Sequence, residues 1–153
     1  MASTQQFCTF FLEGHVFGTP VPKVQEVIQH QEMTRVPLSP SVVSGLINLR
    51  GQIVSAIDLR RRLGLQERPA GQLPMNVVVR TSEGAVSLLV DEIGDVIEVE
   101  EETLEPPPET LQGFAREVVS GVYKLSGRLL LALDIDRVVD LSDLTKTKAT
   151  REF

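Results

Sequence analysis

Residues 42–62 read Val42-Val43-Ser44-Gly45-Leu46-Ile47-Asn48-Leu49-Arg50-Gly51-Gln52-Ile53-Val54-Ser55-Ala56-Ile57-Asp58-Leu59-Arg60-Arg61-Arg62, and the chain says nearly the same thing 76 positions later. There it reads Val118-Val119-Ser120-Gly121-Val122-Tyr123-Lys124-Leu125-Ser126-Gly127-Arg128-Leu129-Leu130-Leu131-Ala132-Leu133-Asp134-Ile135-Asp136-Arg137-Val138. Nine of the 21 aligned pairs are identical, among them Gly45/Gly121, Leu49/Leu125, Gly51/Gly127, Ala56/Ala132 and Asp58/Asp134; five more exchange one aliphatic residue for another. A fainter echo lies upstream, Glu13-Gly14 with Val16 against Glu83-Gly84 with Val86, and Val24, Glu26, Val27, Ile28 against Ile93, Asp95, Val96, Ile97. Self-similarity on this scale predicts one supersecondary unit used twice.

Working outward, short apolar runs cut by Gly and Pro predict strands over 6–12, 15–21, 52–57, 76–80, 85–90, 94–99, 121–125 and 128–133. Glu13-Gly14, Glu83-Gly84 and Ser126-Gly127 are the turn signals between neighbours. Short helices are expected over 22–29, 58–64 and 134–141, the last two opening on Asp58 and Asp134, each placed to accept free amides of a first turn. The fold class is therefore mainly β with a few short helices. Four or five strands per unit suit a small barrel, which removes the exposed edges an open sheet would leave. The expected division is 5–70 for the first barrel and 73–141 for the second, within one domain over 1–141, with strands exchanged at the boundary. The Pro- and Gly-containing stretch 66–74 forms the junction, and 142–153 is a polar tail.

Composition limits what such a chain can do. The 153 residues are 42% apolar, with no Trp, one Tyr and six Phe, so the core rests on Val, Ile and Leu, a β-leaning choice. Readers of nucleic acid that stack bases on aromatic side chains fit this poorly. A net charge of −6 also gives no general attraction to polyanions. Charge is distributed unevenly, however: 91–109 holds nine carboxylates and no Lys or Arg, whereas 50–68 holds five arginines against Asp58 and Glu67. Two readings of this remain open, two solvated faces or two oppositely charged docking faces. Cys8 is alone and sits in an apolar run, which excludes an internal disulfide and fits a small core residue. No signal-peptide pattern and no run of 18 apolar residues is present, so neither secretion nor a spanning helix is expected.

Candidate chemistry is sparse. His15 and His30 lack a second His or Cys at a ligand spacing, so no metal site is expected. Motifs for a nucleophile elbow, a phosphate loop or a dinucleotide fold do not occur. Asp134 and Asp136 could serve a metal-dependent hydrolase, but Asp58 occupies the same place in the other copy, which favours helix capping. Comparing the copies isolates one novelty: Asn48 and Arg50 stand where the second copy has Lys124 and Ser126. Arg50, between Leu49 and Gly51, is either a snorkelling side chain or a guanidinium held by a carboxylate.

Three longer stretches carry a family resemblance: 17–28 with Thr34-Arg35-Val36-Pro37; Gly45 to Val54 with Ile57-Asp58-Leu59-Arg60; and Leu89-Val90-Asp91-Glu92-Ile93-Gly94-Asp95-Val96. Together they resemble the CheW-like family of bacterial chemotaxis coupling proteins over about residues 6–141. The resemblance implies two five-stranded SH3-like β-barrel subdomains, no catalysis and no cofactor. It further implies an adaptor that ties the cytoplasmic tips of methyl-accepting chemoreceptors to the regulatory domain of a CheA-type histidine kinase. Nucleic acid and direct membrane insertion play no part, and the protein would be cytoplasmic, recruited to receptor arrays through its partners. Carried over by position, Glu26 and Arg50 match a charged pair near the receptor-binding surface, Val24 the apolar contact beside them, and Gly45 a glycine of the same region; Asn48 belongs to the Asn48-Leu49-Arg50-Gly51 stretch. The kinase-binding surface is left unassigned. Thr19, Ser87 and Pro22 depart from the family pattern. A related alternative is a regulatory module of a chemosensory pathway other than motility.

Overall fold

The computed structural model describes residues 3–142 and 144; most of the 142–153 tail lies outside the described residues. Ten strands run in order: β1 (Thr4–Leu12), β2 (His15–Pro20), β3 (Val24–Ile28), β4 (Val43–Leu49), β5 (Gln52–Asp58), β6 (Met75–Thr81), β7 (Gly84–Val90), β8 (Glu92–Glu100), β9 (Val119–Leu125) and β10 (Arg128–Leu133). Short helices are α1 (Leu59–Arg62), α2 (Gly113–Val118) and α3 (Ile135–Val139), with single 3-10 turns at Val21–Lys23 and Glu101–Thr103. The strands form two five-stranded sheets, ordered β8-β1-β2-β10-β9 and β3-β6-β7-β5-β4.

The repeat is visible in this order. β4, β5 and α1 recur 76 positions later as β9, β10 and α3. β1, β2 and β3 recur as β6, β7 and β8 at a shift of 69, which the pairing registers establish: Val24 opposes Val79 and Glu26 opposes Val78, while Ile93 opposes Phe10 and Val96 opposes Cys8, each with its bulge at the same place. Both copies also join their central strands in parallel, Ser55 opposite Val86 and Leu131 opposite Phe17.

The sheets do not follow the sequence repeats. The first sheet takes β1 and β2 from the first repeat and β8, β9 and β10 from the second, so the division between sheets is not the 5–70/73–141 boundary expected from the sequence. Two crossings make the exchange, one at the 3-10 turn between β2 and β3, the other at Asp91 between β7 and β8. Barrel closure is also partial. No ladder joins the edge strands among the described residues; instead the chain beyond β3 meets β4 through Thr34 and Leu46, and the chain beyond β8 meets β9 through Glu105 and Val122. Each meeting is a reciprocal pair of backbone hydrogen bonds of 2.8–2.9 Å.

Packing follows from the exchange. A central core draws Phe10, Leu12 and Phe17 from the first sheet and Ile57, Val77, Val79, Leu88 and Val90 from the second, sealed by Val118, Ile135 and Val138 of the helices and their ends. Each barrel keeps a smaller interior, Phe7, Val16, Tyr123, Leu130 and Ala132 in the first and Ile47, Leu49, Val54, Ala56, Val78 and Leu89 in the second. Most apolar burial is thus shared between the two barrels.

Several sequence expectations change. The helix expected over 22–29 is a 3-10 turn followed by strand β3. Residues 43–49, not read as a strand although their copy at 121–125 was, form β4, and α2 was not anticipated. The expected caps are present: Asp58 Oδ1 accepts the Arg60 amide at 3.0 Å and Asp134 Oδ1 accepts that of Arg137 at 3.4 Å. Asp136, the other half of the hydrolase reading, is ion-paired with Lys23 at 3.1 Å. Of the family departures, Thr19 is buried with its hydroxyl unpartnered among the described residues, Ser87 donates to Asn76 Oδ1 at 2.7 Å inside the second barrel, and Pro22 lies in the first 3-10 turn. Cys8 is half-buried, and burial pushes its thiol up.

Candidate functional site

Arg50 and Gly51 form the two-residue turn between β4 and β5, with φ of 53° and 89°. Two successive positive φ values are the signature of the tight hairpin turn whose twist matches the flanking strands, a turn that normally selects Asn-Gly or Gly-Gly. Arginine is disfavoured in this left-handed region because its Cβ crowds the following carbonyl. Asn48 supports the turn, its Oδ1 accepting the Gly51 amide at 2.8 Å. The Arg50 guanidinium then reaches across to β3, where Nη2 donates to Glu26 Oε2.

β3 and β4 are the two edges of the second sheet. The Glu26–Arg50 pair therefore spans the opening that no ladder closes. Glu26 is largely covered and Arg50 largely exposed. The hydrogen bond from Arg50 holds the Glu26 carboxyl below the usual carboxylate range, and the same contact raises the already high Arg50 value. Both are charged throughout the physiological range. The second carboxylate oxygen, Glu26 Oε1, is buried with no hydrogen-bond partner among the described residues. An apolar residue, Val27, follows it at 40% exposure.

Of the five residues singled out from sequence, the structure brings together Glu26, Asn48 and Arg50. Gly45 lies further along β4, where a Cβ would sit 2.6 Å from the Thr34 carbonyl oxygen, so it admits the bridging strand. Its copy Gly121 does the same for Glu105, at 2.7 Å. Val24, at the start of β3, is half-buried and packs on the central core.

The arginines of 50–68 do not form a basic face. Arg60 grips Asp91 with two hydrogen bonds, Nε to Oδ1 at 2.8 Å and Nη2 to Oδ2 at 2.5 Å, and Nη1 reaches the Gln66 carbonyl at 3.2 Å. Arg68 adds a contact to Asp91 at 3.0 Å and one to Asp58 at 3.5 Å. Arg62 donates to the carbonyls of Val138 and Asp140 at 2.9 and 2.6 Å and lies 3.8 Å over the Phe114 ring, tying α1 to α3 and α2. Burial alone would raise the Asp91 carboxyl, but hydrogen bonds from Arg60, the Glu13 amide and Arg68 outweigh it and hold it below the ordinary range. Sequence reasoning missed this cluster because a run of charges looks the same whether it meets solvent or a buried counter-ion. The carboxylates of 92–102, by contrast, are all exposed, and among the described residues no Lys or Arg pairs with them.

Two five-stranded sheets that exchange strands form an SH3-like fold, with the Glu26–Arg50 ion pair at the open edge of the second. Residues 6–143 match the family model described as a CheW-like domain, and the chain belongs to that family. It is similar to Chemotaxis protein CheW of Bacillus subtilis, 32% identical over 136 residues covering 89% of this chain and 87% of that one. Chemotaxis protein CheW of Klebsiella aerogenes is 30% identical over 140 residues, 92% of this chain and 84% of the relative. The crystal structure of scaffolding protein TtCheW from Thermoanaerobacter tengcongensis superposes with a TM-score of 0.79 at 27% identity, covering 92% of this chain and 94% of that one. The chain is thus a CheW-type adaptor of chemotaxis signalling, in a family of non-catalytic scaffolds. Among the described residues no helix is long and apolar enough to cross a membrane.

Proposed function

We propose that the protein couples the cytoplasmic tips of methyl-accepting chemoreceptors to a CheA-type histidine kinase, with Glu26, Arg50 and Asn48 forming the receptor-facing corner and Val24 and Gly45 supporting it. The protein does this without catalysis, in the cytoplasm, and reaches membrane-associated arrays only through its partners. One observation carries the site: a left-handed, largely exposed arginine is held against a carboxylate across the open edge of the second sheet. A folded chain keeps such a costly arrangement where a partner completes it. A receptor helix laid against the β3 edge would set its polar groups beside the largely exposed Arg50 guanidinium, in helix-in-groove fashion.

Co-sedimentation of the purified protein with the cognate receptor signalling fragment and kinase is the direct test. The expected result is a ternary pellet in which kinase activity responds to the receptor only when the protein is present. Absence of binding to either component, with kinase activity unchanged, would remove the proposal.

A further inference from the structure

Where β2, β10, the end of α1 and the segment leading into α2 meet, the first barrel holds a cavity of about 480 Å³ walled by Phe17, Leu63, Leu65, Leu111, Ala115 and Leu131. The duplication puts another cavity, of about 640 Å³, at the same place in the second barrel. There Val86 lies opposite Ser55 as Phe17 lies opposite Leu131, and Val139 and Leu141 stand where the first cavity has Leu63 and Leu65. The linings have diverged. Ser55 takes the place of Leu131, and Glu83, Asp136 and Asp140 make the second cavity acidic. The first keeps apolar walls and has no acidic lining residue; its two basic side chains, His15 and Arg128, are exposed at the rim. Arg128 lies 5.8 Å from the centre of the Phe11 ring, and neither it nor His15 has a carboxylate partner among the described residues.

We propose that the first-barrel cavity is a small-molecule site for an amphipathic carboxylate of the medium-chain fatty acid class. The alkyl chain lies among Leu63, Leu65 and Leu131, and the carboxylate is held by the Arg128 guanidinium with the His15 imidazole beside it. An apolar cavity with a few polar groups converging on one end is the usual form of a small-ligand site. An unpaired arginine supplies a planar fork of donors that matches a carboxylate, which a lone apolar wall does not. The second cavity supplies the contrast: the same place in the fold, lined with carboxylates, repels the same head group. The site is also separate from the Glu26–Arg50 corner, since no residue of β3 or of the Arg50 turn lines it.

Sodium octanoate titrated into the isotope-labelled full chain, followed by backbone amide chemical shifts, tests this. Shifts should gather at Leu63, Leu65, Leu111 and Leu131 with a Kd of about 0.1–1 mM, while amides around Ser55 and Leu141 stay still. Octanol and octylammonium, which match the chain but not the head group, should each bind about 5-fold more weakly or worse. Arg128→Gln should lose about 5-fold in octanoate affinity and stay within about 2-fold of the parent for octanol. No saturable shift up to about 10 mM, shifts shared between the two cavities, or equal affinity for the three probes would each overturn the proposal. Undiminished octanoate binding by Arg128→Gln would overturn it as well. Circular dichroism melting shows whether that variant is folded; if it is not, the comparison of the three probes on the parent chain decides alone.

Discussion

The two crossings at which strands pass between sheets are copies of one another, and they are held by opposite means. At the second crossing Arg60 of α1 grips Asp91, with both side chains 8% exposed. At the first, the residue equivalent to Arg60 is Asp136 of α3, which pairs with Lys23 at 44% and 56% exposure. The charges are reversed and so is the environment. A bidentate buried pair with added hydrogen bonds fixes geometry, whereas a solvated lysine contact contributes little. One crossing is a joint and the other a seam.

Breaking the joint should have the largest effect. Arg60→Ala leaves Asp91 buried with only Arg68 and the Glu13 amide as partners, and a loss of about 3–5 kcal/mol in urea denaturation is expected. The same joint predicts a pH dependence. Asp91 titrates lower in the native state than its ordinary value of 3.8, so the native state binds fewer protons there. Its contribution is complete above that value and is lost as pH falls through the native pKa; Asp91→Asn should flatten this acid limb of the stability curve. Next come the two glycines that admit the bridging strands. Gly45→Ala and Gly121→Ala should each cost about 1–3 kcal/mol, by similar amounts if the copies are mechanically equivalent, checked by the shift in denaturation midpoint. Smallest is the seam: Lys23→Ala and Asp136→Ala should fall within about 1 kcal/mol of the parent. A seam variant as damaging as Arg60→Ala would end the distinction between the crossings.

The β9-β10 hairpin and the two capped helices were legible, because a Ser-Gly turn and an Asp cap are local signals, whereas β4 was not read as a strand although its copy was. Pairing of edge strands is not local. β3 looked helical because its bulge at Gln25 interrupts alternation and spaces Val24, Val27 and Ile28 as a helix would. Nothing in the residues of β3 names β6 as its partner, so which strands are exchanged became visible only in the sheet order. Arg50 stood out because its copy is Ser126, and the resemblance named Glu26 beside it. The fate of Arg60, Arg62 and Arg68 was illegible, since the acceptors of Arg60 and Arg62 include Asp91 and Val138, 31 and 76 positions away.

The central claim is that the Glu26–Arg50 corner serves recognition rather than folding. Arg50→Ala, measured for thermal midpoint and for receptor control of kinase activity in a reconstituted receptor–kinase mixture, tests it most directly. The midpoint should stay close to that of the parent while receptor control of the kinase is largely lost. A variant that couples as well as the parent, or that simply unfolds, would contradict the claim.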